Sequence, residues 1–233
     1  MKVFVGTSGW YYNWNKEKTL DWYIENSGLN AIELNASFYR FPFPNQVKSW
    51  TKKGKLLHWA IKMNRLITHQ FKFSDRAITT LQKFFDLFSG MDKLIDYFLL
   101  QLPPSTTPKV KDKIADFIEK TKRKDKCALE PRNEGWFKKE MIQWAKALGI
   151  TWVSIDAPEF TRDVFKTTRS IYLRVHGRTD WYQHNYTSRE LKEIAQRIVA
   201  AKPERVHVFF NNNYNMLKNA QTMQRILQHI GEK

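Results

Sequence analysis

The sequence has little of the material from which secreted, fibrous or membrane-spanning proteins are built. It contains one cysteine, Cys127, so the chain cannot form an internal disulfide, and we expect a reducing compartment. Its longest apolar runs, such as YFLLQL at 97–102, are far shorter than a membrane span. The N-terminal MKVFVGTSGW shows none of the regions of a signal peptide. These absences predict a cytoplasmic protein without a membrane partner.

Acidic residues are also scarce relative to basic ones. The chain has 39 Lys and Arg against 23 Asp and Glu, which gives a formal net charge of +16. A field of that sign attracts phosphates, nucleic acid and other anions. Part of the excess lies at 109–126, KVKDKIADFIEKTKRKDK, which is typical of an amphipathic helix with a charged, solvated outer face. The charge therefore indicates an anionic partner, either a small ligand or a nucleic acid.

No Pro-, Gly- or Ser-rich linker interrupts the chain, so we predict a single domain over residues 1–233. Eight short, β-rich apolar runs recur along it, at 3–8, 31–35, 57–62, 97–101, 127–131, 151–156, 171–176 and 206–210. Helix-like segments lie between most of them. Alternating strands and helices favour parallel pairing, and eight units predict a (β/α)8, TIM-barrel-like α/β fold. An open doubly wound sheet is the alternative, although GTSGW at 6–10 lacks the third glycine of a dinucleotide-binding turn.

Several helices carry clear sequence signals. An apolar stripe from Ala77 to Phe88 predicts one helix, and Pro108 is placed to begin another. Thr187 and Glu190 have the spacing of a capping box. The segment 158–168 has no apolar stripe, so we predict an irregular sixth crossover.

Polar residues follow small ones near the carboxyl ends of several predicted strands. With a period of two, they share one strand face: Glu33, Asn35, Lys62, Gln101, Glu130, Arg132, Asp156, Arg174 and His176. In a barrel that face and that end form the usual site of chemistry. We expect Glu33, Glu130 and Asp156 to balance Lys62, Arg132 and Arg174, because unpaired buried charges are costly. A closed ion-pair network that only fills the mouth of the barrel is the alternative to a ligand site.

Aromatic residues are concentrated in the loops that follow strands one, two, five and seven. Such loops are usually polar, so exposed rings over one end of a barrel would offer stacking surfaces for sugars or bases. From these loops we select Trp10, Tyr39 and Trp136 as ligand contacts. About half of the loop aromatics are expected simply to pack the loops together.

A series of motifs spans nearly the whole chain, from Gly6 to Ala220: GTSGW, IELNASFYR, IKMNRLITH, FLLQLPPS, EPRNEGWF, YLRVHGR and FFNNN. In order and spacing they resemble the YecE-like family of domains of unknown function, the seventy-second of that series. The resemblance implies a TIM-barrel-like fold and brings no established activity. Two features depart from the family pattern. Pro131 and Asn133 replace the usual aromatic and His around Arg132, and the last motif lacks its glycine-containing loop.

The sequence contains little that indicates a metal or cofactor site. Of six histidines, only His176 falls at the end of a strand on the polar face, and nearby cations would compete with a metal for the carboxylates. We therefore assign neither a metal nor a cofactor. A nucleophilic Ser or Cys is no better supported, because Cys127 begins a strand and Ser8 has no evident His partner.

The leading hypothesis is an enzyme-like pocket at the C-terminal mouth of the barrel for a phosphorylated or nucleotide-like anion. The catalytic candidates are Glu33, Glu130 and His176, with Glu130 or Glu33 as acid and base. The ligand-binding candidates are Asn35, Lys62, Gln101, Arg132, Asp156, Arg174, Arg178, Asn211, Trp10, Tyr39 and Trp136. Non-catalytic nucleic-acid binding and a metal-dependent, nuclease-like barrel are the alternatives, and a purely structural or partner-binding barrel is a further one.

Overall fold

A computed structural model describes residues 1–231, in which eight parallel strands close into a barrel in sequence order. The strands are β1 (Lys2–Thr7), β2 (Ala31–Leu34), β3 (His58–Lys62), β4 (Ile95–Gln101), β5 (Cys127–Glu130), β6 (Thr151–Asp156), β7 (Ser170–Val175) and β8 (Arg205–Phe210). Pairing of β1 with β8 closes the ring. The predicted (β/α)8 fold is confirmed, and the open-sheet alternative is wrong.

Helices connect the strands and cover the outside of the barrel. They are α1 (Leu20–Asn26), α2 (Ala36–Tyr39), α3 (Pro44–Lys53), α4 (Asp75–Phe88), α5 (Lys111–Thr121), α6 (Lys139–Leu148), α7 (Ser188–Ala200) and α8 (Met216–Gly231). Thr187 caps α7 by accepting from the Glu190 amide, and Glu190 completes the predicted capping box. Pro108 begins a short 3-10 turn that leads into α5. The stretch 157–169 between β6 and β7 contains no helix, as predicted.

Two apolar layers follow from the alternation of side chains along each strand. Outward residues such as Ile32, Trp59 and Leu129 pack beneath the helices in the larger layer. Small inward residues, among them Ala31, Ala60 and Ala128, form the narrow layer inside the barrel. Because these alanines occupy little volume, the following inward residues of the same strands have room for long charged side chains.

The N-terminal end of the barrel contains a compact polar group. Asp96 Oδ2 accepts hydrogen bonds from His58 Nδ1 at 2.8 Å and from His207 Nε2 at 2.9 Å. The Phe4 ring lies 4.0 Å from the His58 ring and 4.7 Å from that of His207, measured between centroids. The Asp96 carboxylate therefore accepts from both imidazoles, and the Phe4 ring packs against both of them.

None of the helices within residues 1–231 combines the length and apolar character that crossing a membrane requires.

Candidate active site at the C-terminal mouth

The predicted strand faces bring most of the candidate residues together at the carboxyl ends of the strands. Three charged residues lie two positions after the inward alanines of their strands: Glu33 on β2, Lys62 on β3 and Glu130 on β5. Arg174 extends inward from β7, opposite to the outward Leu173 and Val175. The carboxylates, the arginine and His176 are all buried, so this cluster occupies the interior of the barrel mouth.

Arg174 is the centre of the cluster. Its Nη2 donates to Glu33 Oε1 at 2.7 Å, and its Nη1 donates to Glu130 Oε2 at 2.6 Å. Both glutamates are fully buried, and 1% of Arg174 is exposed. A planar guanidinium suits this geometry because its donors can reach two carboxylates at once. The pair of contacts matches the charge balance that the sequence predicts for these three residues.

Glu33 receives two further hydrogen bonds that fix its position. Ser8 Oγ donates to Oε1 at 2.7 Å, and Tyr172 OH donates to Oε2 at 2.6 Å. Burial, followed by the negative charge of Glu33, raises the pKa of Tyr172 well above its usual value, so the phenol stays protonated and continues to donate. Sequence reasoning missed Tyr172, although it lies two residues before Arg174 and therefore on the same strand face.

Glu130 is held as a carboxylate by two guanidinium groups. Its Oε1 lies 2.5 Å from Arg132 Nη2, in addition to the contact with Arg174. Burial alone would raise the pKa of Glu130, but Arg132 and Arg174 outweigh that effect and hold it well below its usual value. A carboxylate in this environment is a poor proton acceptor, and its chemical role is to neutralise the arginines.

His176 lies in the same cluster as a neutral imidazole. Burial, together with the positive charges of Arg132 and Arg174, lowers its pKa well below the ordinary value. Its Nε2 lies 3.1 Å from Arg132 Nη2 and 3.5 Å from Glu130 Oε1, and its Nδ1 lies 3.4 Å from the side-chain nitrogen of Asn211. Both ring nitrogens therefore contact neighbours within the cluster.

Lys62 differs from the other charged residues of the mouth. Within residues 1–231, no Asp or Glu oxygen lies within 4.0 Å of its ammonium nitrogen, and no hydrogen-bond partner reaches Nζ. The nitrogen lies 4.1 Å from the centroid of the Phe38 ring. Burial, followed by the positive charge of Arg174, lowers the pKa of Lys62 to about 7. The expected balancing of Lys62 by a carboxylate is therefore wrong.

Three polar candidates lie around the edge of this cluster. Asn35 Oδ1 is 3.5 Å from Arg174 Nη2, and the Asn211 side-chain amide is 3.4 Å from His176 Nδ1. Gln101 ends β4 beside Glu130, its register partner on β5. All three are half-buried, so each has surface left with which to contact a ligand.

Two of the predicted aromatic contacts line a cavity of about 730 Å³ beside the cluster. Trp10 packs edge-on against Trp50, and Tyr39 stands largely exposed at the opening. Ser8 and Asn35 also line the cavity, and both of these residues contact the charged cluster. The cavity therefore borders the mouth on the β1–β2 side.

The third predicted aromatic contact, Trp136, lies elsewhere. It is fully buried in the layer between barrel and helices, with its ring 5.7 Å from Trp144 and 6.3 Å from Trp152. Its Nε1 donates to the Thr106 carbonyl oxygen at 2.7 Å. The large apolar ring gains more from the core than from the solvent-facing rim, so the assignment of Trp136 to ligand binding is wrong.

Asp156 and Arg178 are also displaced from the predicted site. On β6 the inward residues are Val153 and Ile155, so Asp156 points outward. There it accepts from Arg178 Nε and Nη2 at 3.2 and 3.1 Å and from Tyr186 OH at 2.6 Å. Because strand side chains alternate, an error of one residue reverses the face of the whole strand. Asp156 and Arg178 form an ion pair outside the barrel and do not line the mouth.

A sharp turn after β7 covers His176. Gly177 has φ +130°, and a side chain there would meet the Asp180 carbonyl, so only glycine fits without strain. The turn returns the chain so that Tyr182 N donates to the His176 carbonyl oxygen at 2.7 Å. The Trp181 ring then lies 4.7 Å from the Arg132 guanidinium, which it covers from the loop side.

The placement of the His, Cys, Asp and Glu side chains decides whether the mouth could hold a metal ion. Across the part of the chain that the structure describes, no group of three His, Cys, Asp or Glu side chains is placed to hold an ion. In the mouth, the oxygens of Glu33 and Glu130 already accept from arginine, serine and tyrosine donors. The metal-dependent, nuclease-like alternative thus has no set of ligands in residues 1–231.

The fold and the mouth together define a class: a (β/α)8 barrel with a buried charged cluster at the carboxyl ends of its strands, an architecture that supports many unrelated chemistries. The family model described as "Protein of unknown function DUF72" matches residues 4–233, and the chain belongs to that family. The resemblance of the sequence motifs is thereby confirmed. A comparison with curated proteins finds no match.

Solved structures of the same family share the fold. A DUF72 family protein from Enterococcus faecalis V583 is 20% identical with a TM-score of 0.83, covering 97% of this chain and 98% of its own. One from Thermotoga maritima MSB8 is 24% identical with a TM-score of 0.80, with full coverage of both chains. A xylose isomerase domain-containing protein from Salmonella typhimurium LT2 is 12% identical, with a TM-score of 0.56 and coverage of 90% and 89%. At these identities the likeness concerns the fold alone.

Proposed function

We propose that the C-terminal mouth of the barrel is an enzyme-like pocket for a small organic anion, of the phosphorylated or nucleotide-like kind. The observation that carries this proposal is the imbalance of charge. Lys62, Arg132 and Arg174 stand against Glu33 and Glu130, and both carboxylates are already paired with the arginines. When Lys62 is protonated, one positive charge has no partner in the mouth, and an anion would complete the balance.

The exposed fractions of the charged side chains indicate which of them a ligand reaches first. Glu33, Glu130 and His176 have no exposed surface, whereas 8% of Lys62 and 9% of the Arg132 side chain reach solvent. A ligand therefore meets cations before it meets acids. The adjoining cavity at Trp10 and Tyr39 offers room and aromatic surface for the uncharged part of the molecule.

The contacts also change the assignment of acid and base. The sequence hypothesis gives proton transfer to Glu130 or Glu33, with His176 assisting. Glu130 is stabilised as a carboxylate by two arginines, and Glu33 is occupied by three donors. Lys62 has a pKa of about 7 and a nitrogen without a partner, so it is the better candidate for moving a proton at neutral pH.

The proposal is tested by calorimetric titration with inorganic phosphate, pyruvate and a series of sugar phosphates. Lys62→Met removes a charge-assisted contact and should weaken binding about tenfold or more. Lys62→Arg keeps the charge and should retain most of the affinity. The control is Lys55→Met, which removes an exposed lysine outside the mouth and should leave the affinity unchanged. Equal affinity in the wild type and Lys62→Met would count against the proposal.

Non-catalytic nucleic-acid binding is the second candidate, and the rim of the mouth is the feature that favours it. Tyr11, Tyr39 and Phe43 are exposed there, and cations lie over two of the rings, Lys18 over Tyr11 and Arg40 over Phe43. With a net charge of +16, binding to single strands should weaken steeply as salt increases. Absence of binding at low salt would remove this candidate.

A further inference from the structure

The mouth holds two kinds of cation. Arg is the usual partner of phosphate and carboxylate, because its planar donors bind two oxygens at once. Arg174 is occupied by Glu33 and Glu130, whereas Arg132 contacts Glu130 and His176 through Nη2 and its Nε has no hydrogen-bond partner within residues 1–231. Lys62 carries a primary amine, which, unlike a guanidinium, can lose its proton and act as a nucleophile.

We propose that the Lys62 amine forms a covalent imine with the carbonyl carbon of a small anionic aldehyde or ketone bound in the mouth. This inference rests on the proposed function, since the anionic part of the substrate is what the remaining cations bind. It assigns the substrate class and gives Lys62 a catalytic role that the sequence hypothesis, in which Lys62 only binds an anion, does not contain.

The surroundings of the nitrogen favour the neutral amine. The Phe38 ring lies on one side at 4.1 Å and offers no acceptor other than its face. Burial is the largest cause of the lowered pKa of Lys62; the charge of Arg174 and, less strongly, that of Arg132 act in the same direction, while Glu130 and Glu33 oppose them. His69 packs edge-on against Phe38, and its own pKa is lowered by burial and then by the charge of Lys62. A lysine desolvated beside other cations is a recognised form of activated amine.

The reaction balances without a redox partner. The neutral Lys62 nitrogen attacks the carbonyl carbon, and a C–N bond forms as the C–O π bond opens. The oxygen takes one proton from the nitrogen and a second from solvent, and it leaves as water when the C–O bond breaks. The product is a protonated imine on Lys62. Because that imine withdraws electrons, it acidifies the adjacent C–H bond and weakens a neighbouring C–C bond.

The geometry around the imine fits an anionic substrate. An iminium replaces the ammonium charge, so the mouth keeps its positive balance and the anionic group of the substrate remains attracted to Arg132. That guanidinium is supported by the Trp181 ring at 4.7 Å and by Glu130, which hold it in place during the covalent step. The two glutamates therefore position the arginines and do not take part in the bond changes.

The experiment is reductive trapping. The protein is incubated with pyruvate or glyceraldehyde 3-phosphate and sodium cyanoborohydride, and the intact mass and peptide map are measured against time. The proposal predicts a single adduct on Lys62, formed at a rate that rises as pH increases through about 7. Lys62→Arg should lose the adduct while keeping its affinity for inorganic phosphate. The matched control Lys55→Arg, an exposed site, should be labelled like the wild type.

Several outcomes separate this inference from the function on which it rests. If phosphate binds but Lys62 gains no adduct, or if adducts are spread over exposed lysines and persist in Lys62→Arg, the covalent step is wrong and the anion pocket stands. If neither phosphate nor the carbonyl compounds bind, the proposed function itself is wrong. Thermal unfolding of Lys62→Arg and Lys62→Met establishes that the variants are folded.

Discussion

The two ends of the barrel handle buried charge in opposite ways. At the N-terminal end, one acid, Asp96, accepts from two imidazoles, and Phe4 covers both rings. At the C-terminal end, two acids share two arginines, and Lys62 stands beside them without a carboxylate partner within residues 1–231. The first arrangement pairs its one acid with both of its imidazoles. The second pairs its two acids with arginines and leaves the Lys62 amine without a carboxylate among the described residues.

This difference separates a structural cluster from a functional one. A buried ion pair contributes little to stability compared with apolar packing, and an unpaired buried cation is destabilising. In the N-terminal cluster, His58 and His207 both donate to Asp96. The C-terminal cluster retains a costly unpaired amine where an apolar residue would be more stable, which is the pattern expected of residues kept for chemistry.

The largest effect should come from removing the centre of the C-terminal cluster. Arg174→Met leaves Glu33 and Glu130 buried with fewer donors, and we expect a loss of about 3–5 kcal/mol in the free energy of unfolding. Urea denaturation of the variant and the wild type measures this difference. A loss below about 1 kcal/mol would show that the carboxylates do not depend on Arg174 for their charge.

Removing the unpaired amine of Lys62 should increase the free energy of unfolding. The pKa of Lys62 is lowered to about 7 in the folded protein, so the unfolded chain binds more protons between pH 7 and about 10.4. Stability therefore rises with pH across that window. Lys62→Met removes the cost of burying the ammonium, and at pH 7 or below we expect a gain of about 1–4 kcal/mol. The gain should shrink as pH approaches 10, which urea denaturation at several pH values tests.

At the N-terminal end, Asp96→Asn should be destabilising and sensitive to acid. Burial raises the pKa of Asp96, but the hydrogen bonds from His207 and His58 outweigh it and hold the pKa far below its usual value. Its contribution is present above about pH 4 and is lost as pH falls further. We expect a loss of about 1–3 kcal/mol at pH 7 and a smaller loss at pH 3. An equal loss at both values would contradict the assignment.

The smallest effect concerns the buried histidine of the mouth. Burial, then Arg132 and Arg174, lowers the pKa of His176, so in acid the unfolded chain takes up a proton that the folded protein refuses. The wild type should lose stability as pH falls below about 6.5, by at most about 1.4 kcal/mol per pH unit for this residue. His176→Gln should flatten that slope. His207→Gln, at the other end, gives the comparison, because its pKa is also lowered by burial.

The fold and half of the site could be predicted because both depend on periodic patterns. The alternation of strands and helices indicates the barrel, and the period of two places Glu33, Lys62, Glu130 and Arg174 on one face. On β2, β3 and β5 these inferences succeed because small inward residues and apolar outward residues differ clearly.

The pattern fails on β6, where both faces are buried and both carry apolar residues. The sequence Thr151–Asp156 offers no small inward residue, and the decisive feature is Trp152, which packs outward beneath the helices as Trp59 does on β3. The wrong placement of Arg178 has the same cause, since its partner is the outward Asp156. Which of several cations stays unpaired depends on distances of a few ångströms, which strand alternation does not contain.

Lys62 is expected to titrate near neutral pH, and ¹⁵N NMR of the lysine Nζ groups measures its titration site by site. The Lys62 resonance, assigned by its absence from Lys62→Arg, should change with a midpoint near 7, while the resonance of the exposed Lys55 serves as the reference for a lysine in solvent. A Lys62 midpoint at or above 10 would contradict the account, because the amine would then be an ordinary charged lysine throughout the physiological range.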